Sequence, residues 1–197
     1  MTPRYLPLTK GMKTVVDEDD YDMLMRIGKW CYSRSGYAVH YYTDELGRNR
    51  TLYLHRAILA HALRKAPPGM QVDHINHNRL DNRRVNLRLA TPSQNQAHKR
   101  QRQDSGTPFK GVARNTGRWE ARIKYGDKRI NLGRFDKPED AAWMYDAATR
   151  LLNREFAGTN FSDHPRRAIF ERVIAVLGKN GFDTNILCRS DAFYRSR

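Results

Sequence analysis

Cysteine is scarce in this chain, which has only Cys31 and Cys188 among its 197 residues. The two lie far apart in sequence and form no CxxC pair, so a framework of disulfides is excluded. Cysteine usage of this kind is typical of a reducing compartment, and we expect a cytoplasmic protein.

Long apolar stretches are missing as well. No segment approaches the ~20 consecutive apolar residues that a membrane-spanning helix needs. The first residues, Met1 to Tyr5, lack the apolar run of a signal peptide. These absences predict a soluble protein that has no membrane partner.

Acidic residues are few relative to basic ones. The chain has 36 Lys and Arg against 21 Asp and Glu, a formal net charge of +15 and an isoelectric point near 10.2. Such an excess favours a polyanionic partner, because each phosphate neutralised by a basic side chain releases condensed counterions. A merely solubilising surface and an anionic membrane are the alternatives that charge alone leaves open.

One short segment combines residues that suit phosphodiester hydrolysis. Asp73 directly precedes His74, and Asn86 and Asn95 follow that histidine at offsets of 12 and 21. Hydrolysis needs a base that deprotonates water and a cation that neutralises the phosphate. Histidine has the unperturbed pKa suited to the base, and an aspartate oxygen is a hard ligand suited to Mg²⁺. The combination indicates a nuclease site.

The surrounding segments predict two strands followed by a helix. Asp73 and His74 can both reach one site only where their strand ends or twists, because neighbouring side chains of a strand point to opposite faces. Leu87 to Ala90 forms a short return strand, and Thr91 caps a helix whose first residue is proline. Asn95 then lies in the first or second turn of that helix, where its side chain can face Asp73.

The pattern DHIN-x-N-x-x-DNR-x-x-NLR-x-x-T, preceded by YLHRA, resembles the HNH endonucleases of the ββα-metal fold. It is most similar to the homing-type enzymes common in phage and introns, and the resemblance covers roughly residues 8–100. It implies that Asp73 and Asn95 are metal ligands and that His74 is the general base. It also implies that Asn86 orients the base and its loop.

The third position of the motif departs from much of that family. Asn95 stands where many members carry histidine, so the chain is an H-N-N variant. An amide oxygen is a harder ligand than an imidazole, and the expected ion is therefore Mg²⁺ or Mn²⁺ rather than zinc. Some relatives hold a structural zinc with paired CxxC motifs. The sequence has none, and no structural zinc is expected.

Other polar residues near the motif have plainer interpretations. Asp81 and Asn82 are typical turn builders. His77 and His98 are expected on the surface. His55 is expected to pack or to form hydrogen bonds rather than to bind a metal.

From Phe109 onward the pattern changes to alternating apolar and basic residues. Trp119 to Tyr125 alternates with a period of two, which predicts a half-buried strand, and the next strand repeats the pattern. Asp136 and Glu139 have the spacing of a capping box at the start of a helix. These features predict a three-stranded sheet with one basic face, backed by one alanine-rich helix.

The segments KGV, WEARI, NLGRF, EDAA and YDAA resemble the DNA-binding domain of plant ethylene-response (APETALA-type) factors, over about residues 109–161. In that family the sheet lies in the major groove, which its dimensions allow. Departures at Ala113, Arg122 and Asn131 mean that the target sequence is not transferable from the plant proteins. The alternative is a generic small α+β domain with a solvated basic face. The groove-side positions that the resemblance implies are Lys110, Arg122, Lys124, Arg129 and Asn131.

We therefore predict an α+β chain in four parts. Residues 1–100 form an HNH nuclease domain with N-terminal strands and helices, and residues 101–108 a basic linker. Residues 109–161 form the APETALA-type domain, and residues 162–197 a C-terminal helix and a basic tail. Lys99, Arg100 and Arg102 are expected to contact phosphate without reading sequence.

The two resemblances together imply a metal-dependent DNA endonuclease of the homing type. We expect a monomer that acts on double-stranded DNA in a phage-infected or mobile-element-bearing cell, without a small-molecule cofactor. The main rival is a non-catalytic DNA-binding transcription regulator whose nuclease half has decayed. A weaker rival is a nuclease directed at RNA.

Overall fold

A computed structural model of the chain describes residues 2–63, 68–101 and 106–189. The chain divides into two compact units, Met1–Pro92 and Ser93–Arg197. Small antiparallel sheets and separate helices confirm the predicted α+β class. None of the helices in the described ranges combines the length and the apolar character needed to span a bilayer.

Within its described residues, the first unit holds three antiparallel sheets and two α-helices. In chain order the elements are β1 (Pro3–Pro7), β2 (Lys13–Asp17), α1 (Glu18–Ile27), β3 (Cys31–Tyr32), β4 (Ala38–Thr43), β5 (Asn49–Tyr53), α2 (Leu54–Ala62), β6 (Gln71–His74) and β7 (Leu87–Ala90). β1 pairs with β2, β4 with both β3 and β5, and β6 with β7. Leu6, Val16, Leu24, Leu54 and Ile58 are almost completely buried and form the core.

The second unit consists mainly of a three-stranded sheet backed by helices. Its elements are α3 (Pro92–His98), which begins at the boundary, then β8 (Val112–Asn115), β9 (Arg118–Tyr125), β10 (Lys128–Phe135), α4 (Pro138–Asn153), α5 (Arg167–Lys179) and α6 (Thr184–Cys188). β9 is the central strand. Small residues such as Ala141 and Ala148 let α4 lie close to the sheet, and α5 adds Phe170 and Leu177 to the same core.

Several local predictions are confirmed and one is wrong in detail. The return strand at Leu87 and the sheet of the second unit are present, and α3 begins directly after Thr91. Asp136, however, does not cap α4. Lys137 is the cap residue, and Asp136 instead accepts a hydrogen bond from Arg118 Nε at 2.9 Å. The boundary between the two units falls after Pro92, the first residue of α3, whereas the predicted nuclease domain extends to residue 100. The four-part division stays a prediction.

Candidate active site

Asp73 and His74 are the last two residues of β6, and both are buried, with exposed fractions of 7% and 5%. The pairing of β6 with β7 places Arg88 opposite Asp73. Nε and Nη2 of Arg88 both lie 2.9 Å from Asp73 Oδ2. The guanidinium compensates the carboxylate, because an unpaired charge is costly to bury.

The chemistry of Asp73 suits a hard divalent cation. Among the described residues, no three His, Cys, Asp or Glu side chains are grouped so that they could hold a metal ion. Mg²⁺ is usually held by one or two carboxylates, and water and phosphate oxygens complete its coordination. Asp73, a carboxylate at a strand end next to a buried imidazole, has the chemistry of one such ligand, and its role as a ligand stays a prediction.

A chain of hydrogen bonds holds the His74 imidazole. Its Nε2 lies 3.1 Å from Oδ1 of Asn82, and Asn82 Nδ2 donates to Oγ1 of Thr14 at 2.8 Å. Thr14 Oγ1 donates in turn to the Leu80 carbonyl at 2.7 Å, so it accepts from Asn82 and determines which end of that amide faces His74. Nε2 of the neutral imidazole therefore carries the proton, and Nδ1 is the acceptor.

The rings around His74 keep it in a poorly solvated position. Burial lowers the pKa of His74, and the Asn82 hydrogen bond and the Asp73 charge oppose that shift. His55 lies edge-on to His74 with ring centroids 5.1 Å apart, and Tyr37 contacts both imidazoles. Burial foremost lowers the pKa of His55 to about 3, and the adjacent His74 adds to the shift because two neighbouring imidazoles disfavour a proton on either. His55 is thus a neutral packing residue beside His74.

Buried side chains cross-link the loop between β6 and β7. Asn86 Oδ1 accepts from Asn76 N at 3.0 Å, and Asn86 Nδ2 donates to the Asp81 carbonyl at 2.7 Å. Arg84 ties the loop to α1 through two hydrogen bonds to the fully buried Asp20 carboxylate, at 2.6 and 2.8 Å. Asn86 therefore cross-links the loop, and its role at the active site stays a prediction.

Asn82 is the residue of this site that sequence reasoning misses. Its residue type predicts a turn, but its side chain is 1% exposed and bonded to His74. Another partner, Thr14, is 68 residues away in sequence. No local sequence pattern predicts such a contact. The one available signal is that Asn82 follows His74 by eight residues.

Asn95 lies in α3, where the helix start at Thr91 predicts it, and it is half-buried. From Ser93 onward this helix belongs to the second unit, and the role of Asn95 as a second metal ligand stays a prediction. The expected surface position of His98 is wrong. His98 is 6% exposed, and residues 110 and 158 lie close to the backbone at the same end of the helix.

The exposed face of the three-stranded sheet brings together four of the five residues predicted at the groove side. Arg122 pairs with Asn131, and Lys124 with Arg129, across β9 and β10, and all four are exposed. Lys110 is directed elsewhere, since its ammonium donates to carbonyl groups at the end of α3. The four remaining side chains form a continuous polar and basic patch.

A buried glutamate, Glu120, lies beneath that patch with an exposed fraction of 4%. Arg122 Nη2 and Asn115 Nδ2 donate to its Oε2 at 2.7 and 2.9 Å, and Asn131 Nδ2 donates to Oε1. The hydrogen bond from Arg122, and then that from Asn115, lower the pKa of Glu120 to about 2. One carboxylate thus holds both Arg122 and Asn131. Alternation along β9 predicts a solvated glutamate and does not reveal this role.

The predicted phosphate contacts follow α3. Lys99 and Arg100 are exposed, and Lys99 Nζ donates to Gln96 Oε1 at 3.0 Å. Arg102 lies outside the described residues.

Known proteins match both halves of the chain. The family model of the HNH endonucleases matches residues 52–97. An uncharacterised HNH endonuclease of Acanthamoeba polyphaga mimivirus is 33% identical over 156 residues, which are 78% of this chain and 78% of that protein. Dehydration-responsive element-binding protein 1E of Oryza sativa subsp. indica is 47% identical over 62 residues, 30% of this chain and 28% of its own. An ethylene-responsive transcription factor-like protein of Arabidopsis thaliana is 28% identical over 106 residues, 53% of this chain and 43% of its own.

Proposed function

The chain belongs to the HNH endonuclease family, and we propose that it is a metal-dependent, homing-type enzyme that hydrolyses phosphodiester bonds in double-stranded DNA. The observation that carries this proposal is the buried, neutral His74, oriented by Asn82 and adjacent to the carboxylate of Asp73. A base of this kind beside a hard oxygen ligand is what hydrolysis of a phosphodiester requires.

In the proposed reaction His74 accepts the proton of the attacking water at Nδ1. Asn82 keeps the imidazole in the tautomer that leaves Nδ1 as the acceptor, and His55 and Tyr37 restrict its movement. Asp73 and Asn95 would hold Mg²⁺ or Mn²⁺. When bound, that ion supplies positive charge for the phosphate and for the departing 3′ oxygen.

A plasmid-nicking assay tests this function. Supercoiled DNA should be nicked or linearised with Mg²⁺ or Mn²⁺, and an excess of EDTA should prevent cleavage. Specific retention of duplex DNA without cleavage in either ion would favour the rival interpretation, a DNA-binding regulator. Faster cleavage of RNA than of duplex DNA would favour the RNA-directed alternative.

Asn82 is expected to act on the chemical step rather than on DNA binding. Loss of a partner that orients a metal-ligating histidine costs about 10–100-fold in activity, and we expect the same order for the partner of a histidine that acts as base. We therefore expect Asn82→Ala to lower kcat by that factor with KM for DNA nearly unchanged. Asn82→Asp, which keeps an oxygen acceptor, should retain more activity, and Asn49→Ala on β5 serves as the matched control. An unchanged kcat with a raised KM would contradict the positioning role.

We further propose that the exposed face of β9 and β10 reads the DNA sequence, with Arg122 as a base-contacting residue. The similarity to plant DNA-binding proteins and the patch of Arg122, Lys124, Arg129 and Asn131 support this. Glu120 restrains the Arg122 guanidinium through one nitrogen and leaves further donors for a base edge. Arginine commonly donates to O6 and N7 of guanine in the major groove.

Arg122 and Lys99 are expected to affect binding in different ways. Arg122→Ala should reduce discrimination at one base pair by about 1–3 kcal/mol. Lys99→Ala should weaken all sequences alike and lower the slope of log K against log salt by about 0.9, the value of one phosphate contact. Binding to a randomised duplex library at two salt concentrations separates the two effects. A uniform loss for both variants would remove the reading role of Arg122.

A further inference from the structure

The end of α3 is fastened to the sheet-and-helix part of the second unit. Nζ of Lys110 donates to the Lys99 carbonyl at 2.6 Å and also to the Ala97 carbonyl. The backbone N–H of Gly158 donates to the same Ala97 carbonyl at 3.2 Å. The last carbonyl groups of a helix lack partners within the helix and attract a cation. The Lys110 ammonium supplies the cation at this helix end, and the ammonium and the Gly158 N–H supply hydrogen-bond donors to its carbonyl groups.

Gly158 allows this close approach because it has no side chain. A Cβ at this position would lie 2.6 Å from the Ala97 carbonyl oxygen, 2.7 Å from Lys110 Nζ and 2.8 Å from the His98 carbonyl oxygen. Two of those three atoms are backbone atoms of α3, which do not move independently of the helix. Any larger residue would therefore push the helix end or the ammonium away.

Lys110 is itself held from the other side. Its N–H donates to Asn160 Oδ1 at 2.7 Å, and Asn160 Nδ2 donates to the Lys110 carbonyl at 3.1 Å. Asn160 is bonded to Asp146 of α4, whose carboxylate is fully buried and accepts from Asn160 N at 2.8 Å. A continuous set of hydrogen bonds thus runs from the core helix α4, through Asn160 and Lys110, to the end of α3.

We propose that Lys110 is a positioning residue, through which the DNA-reading part of the chain holds α3 and the Asn95 that this helix carries. The proposal rests on the proposed nuclease function. It means that residues after 109 contribute to cleavage by fixing α3, in addition to their contribution to DNA affinity. It also gives Lys110 a different role from the DNA contact implied by its place in the APETALA-type pattern.

The test uses the full chain and compares Lys110→Met and Gly158→Ala with a matched control, Lys128→Met. Lys128 Nζ makes a similar bond to the Asn180 carbonyl, at 3.1 Å, just after the end of α5. Hydrogen exchange of the amides of residues 93–98, without metal or DNA, should become about tenfold faster in both test variants and stay unchanged in the control. Exchange in β9 and β10 should not change.

Cleavage supplies the second readout. At saturating DNA with Mg²⁺, the single-turnover rate should fall about 10- to 100-fold in both test variants, since small misplacements in an active site have effects of that order. DNA affinity should change less than about threefold, which is below the ~1.4 kcal/mol of a tenfold change. Gly158→Ala keeps the lysine charge, so agreement between the two variants separates positioning from charge.

Two results would overturn this role. If the amides of α3 exchanged at the wild-type rate in Lys110→Met, the lysine would not hold the helix. Weaker DNA binding with a salt slope reduced by about 0.9, at an unchanged saturated rate, would make Lys110 a phosphate contact. If the wild-type protein failed to cleave DNA with every divalent ion tested, the nuclease function and the catalytic part of this inference would both be refuted. The hydrogen-exchange data would still decide whether Lys110 anchors α3.

Discussion

The His74→Ala variant is expected to cleave plasmid DNA about 10² to 10⁴ times more slowly than the wild type, the loss typical of removing a general base. His74 is buried at the end of β6, and its Nε2 is bonded to Asn82, so the variant loses the acceptor Nδ1. Single-turnover cleavage at saturating DNA and Mg²⁺ measures the effect without a contribution from product release.

DNA binding should survive this change, because the patch on β9 and β10 belongs to the other compact unit. The equilibrium affinity for duplex DNA, measured with EDTA present, should stay within about threefold of wild type, below the ~1.4 kcal/mol of a tenfold change. His61→Ala is a matched control, since the His61 side chain on α2 is 53% exposed. Equal cleavage rates for the wild type and His74→Ala would show that the activity comes from a contaminating nuclease, and would refute the proposed enzymatic function.

The Gly111→Ala variant is expected to destabilise the second unit by roughly 3 kcal/mol, the sum of overpacking and a left-handed backbone. Gly111 has φ of +73°, and a Cβ there would lie 1.9 Å from Cδ2 of Tyr145. Tyr145 is only 6% exposed and packs in the core under the sheet, so its ring has no space to retreat. Urea unfolding of the full chain measures the loss.

A second glycine separates the two contributions. Gly126 has φ of +57°, and a Cβ there would have no neighbouring atom within 4 Å, so Gly126→Ala should cost only about 1 kcal/mol for its backbone conformation. Fluorescence of Trp119 and Trp143 reports on this unit, whereas Trp30 lies in the other one. If Gly111→Ala and Gly126→Ala lowered the free energy of unfolding by similar amounts, the contact with Tyr145 would not be the cause of the loss in Gly111→Ala.

Features set by neighbouring residues could be predicted from the sequence. The alternation from Trp119 to Tyr125 predicts a strand, and the Thr91 cap with its following proline predicts the start of α3. Both signals depend on residues within one turn or one strand, where backbone preference and side-chain period act directly. The capping prediction at Asp136 fails because α4 begins one residue later than predicted, after Lys137, and Asp136 instead accepts a hydrogen bond from Arg118, 18 residues away.

Features that depend on distant partners could not be predicted in this way. The residue type of Asn82 predicts a turn, whereas the fold bonds its side chain to Thr14 and His74. The family pattern implies a DNA contact for Lys110, but its ammonium lies at the end of α3. Glu120 and Arg84 likewise owe their roles to partners on other elements. In each case a polar side chain is satisfied by whichever group the fold brings within hydrogen-bond distance.

The sequence by itself determined the family, the α+β class and the Asp73-His74 pair, because motif spacing and local periodicity are properties of the chain alone. The tertiary structure alone decided that Asn82 holds His74 and that Glu120 holds Arg122. It also decided that Lys110 and Gly158 hold the end of α3. The physical reason is burial, which removes water as a partner and obliges each polar group to find one in the protein.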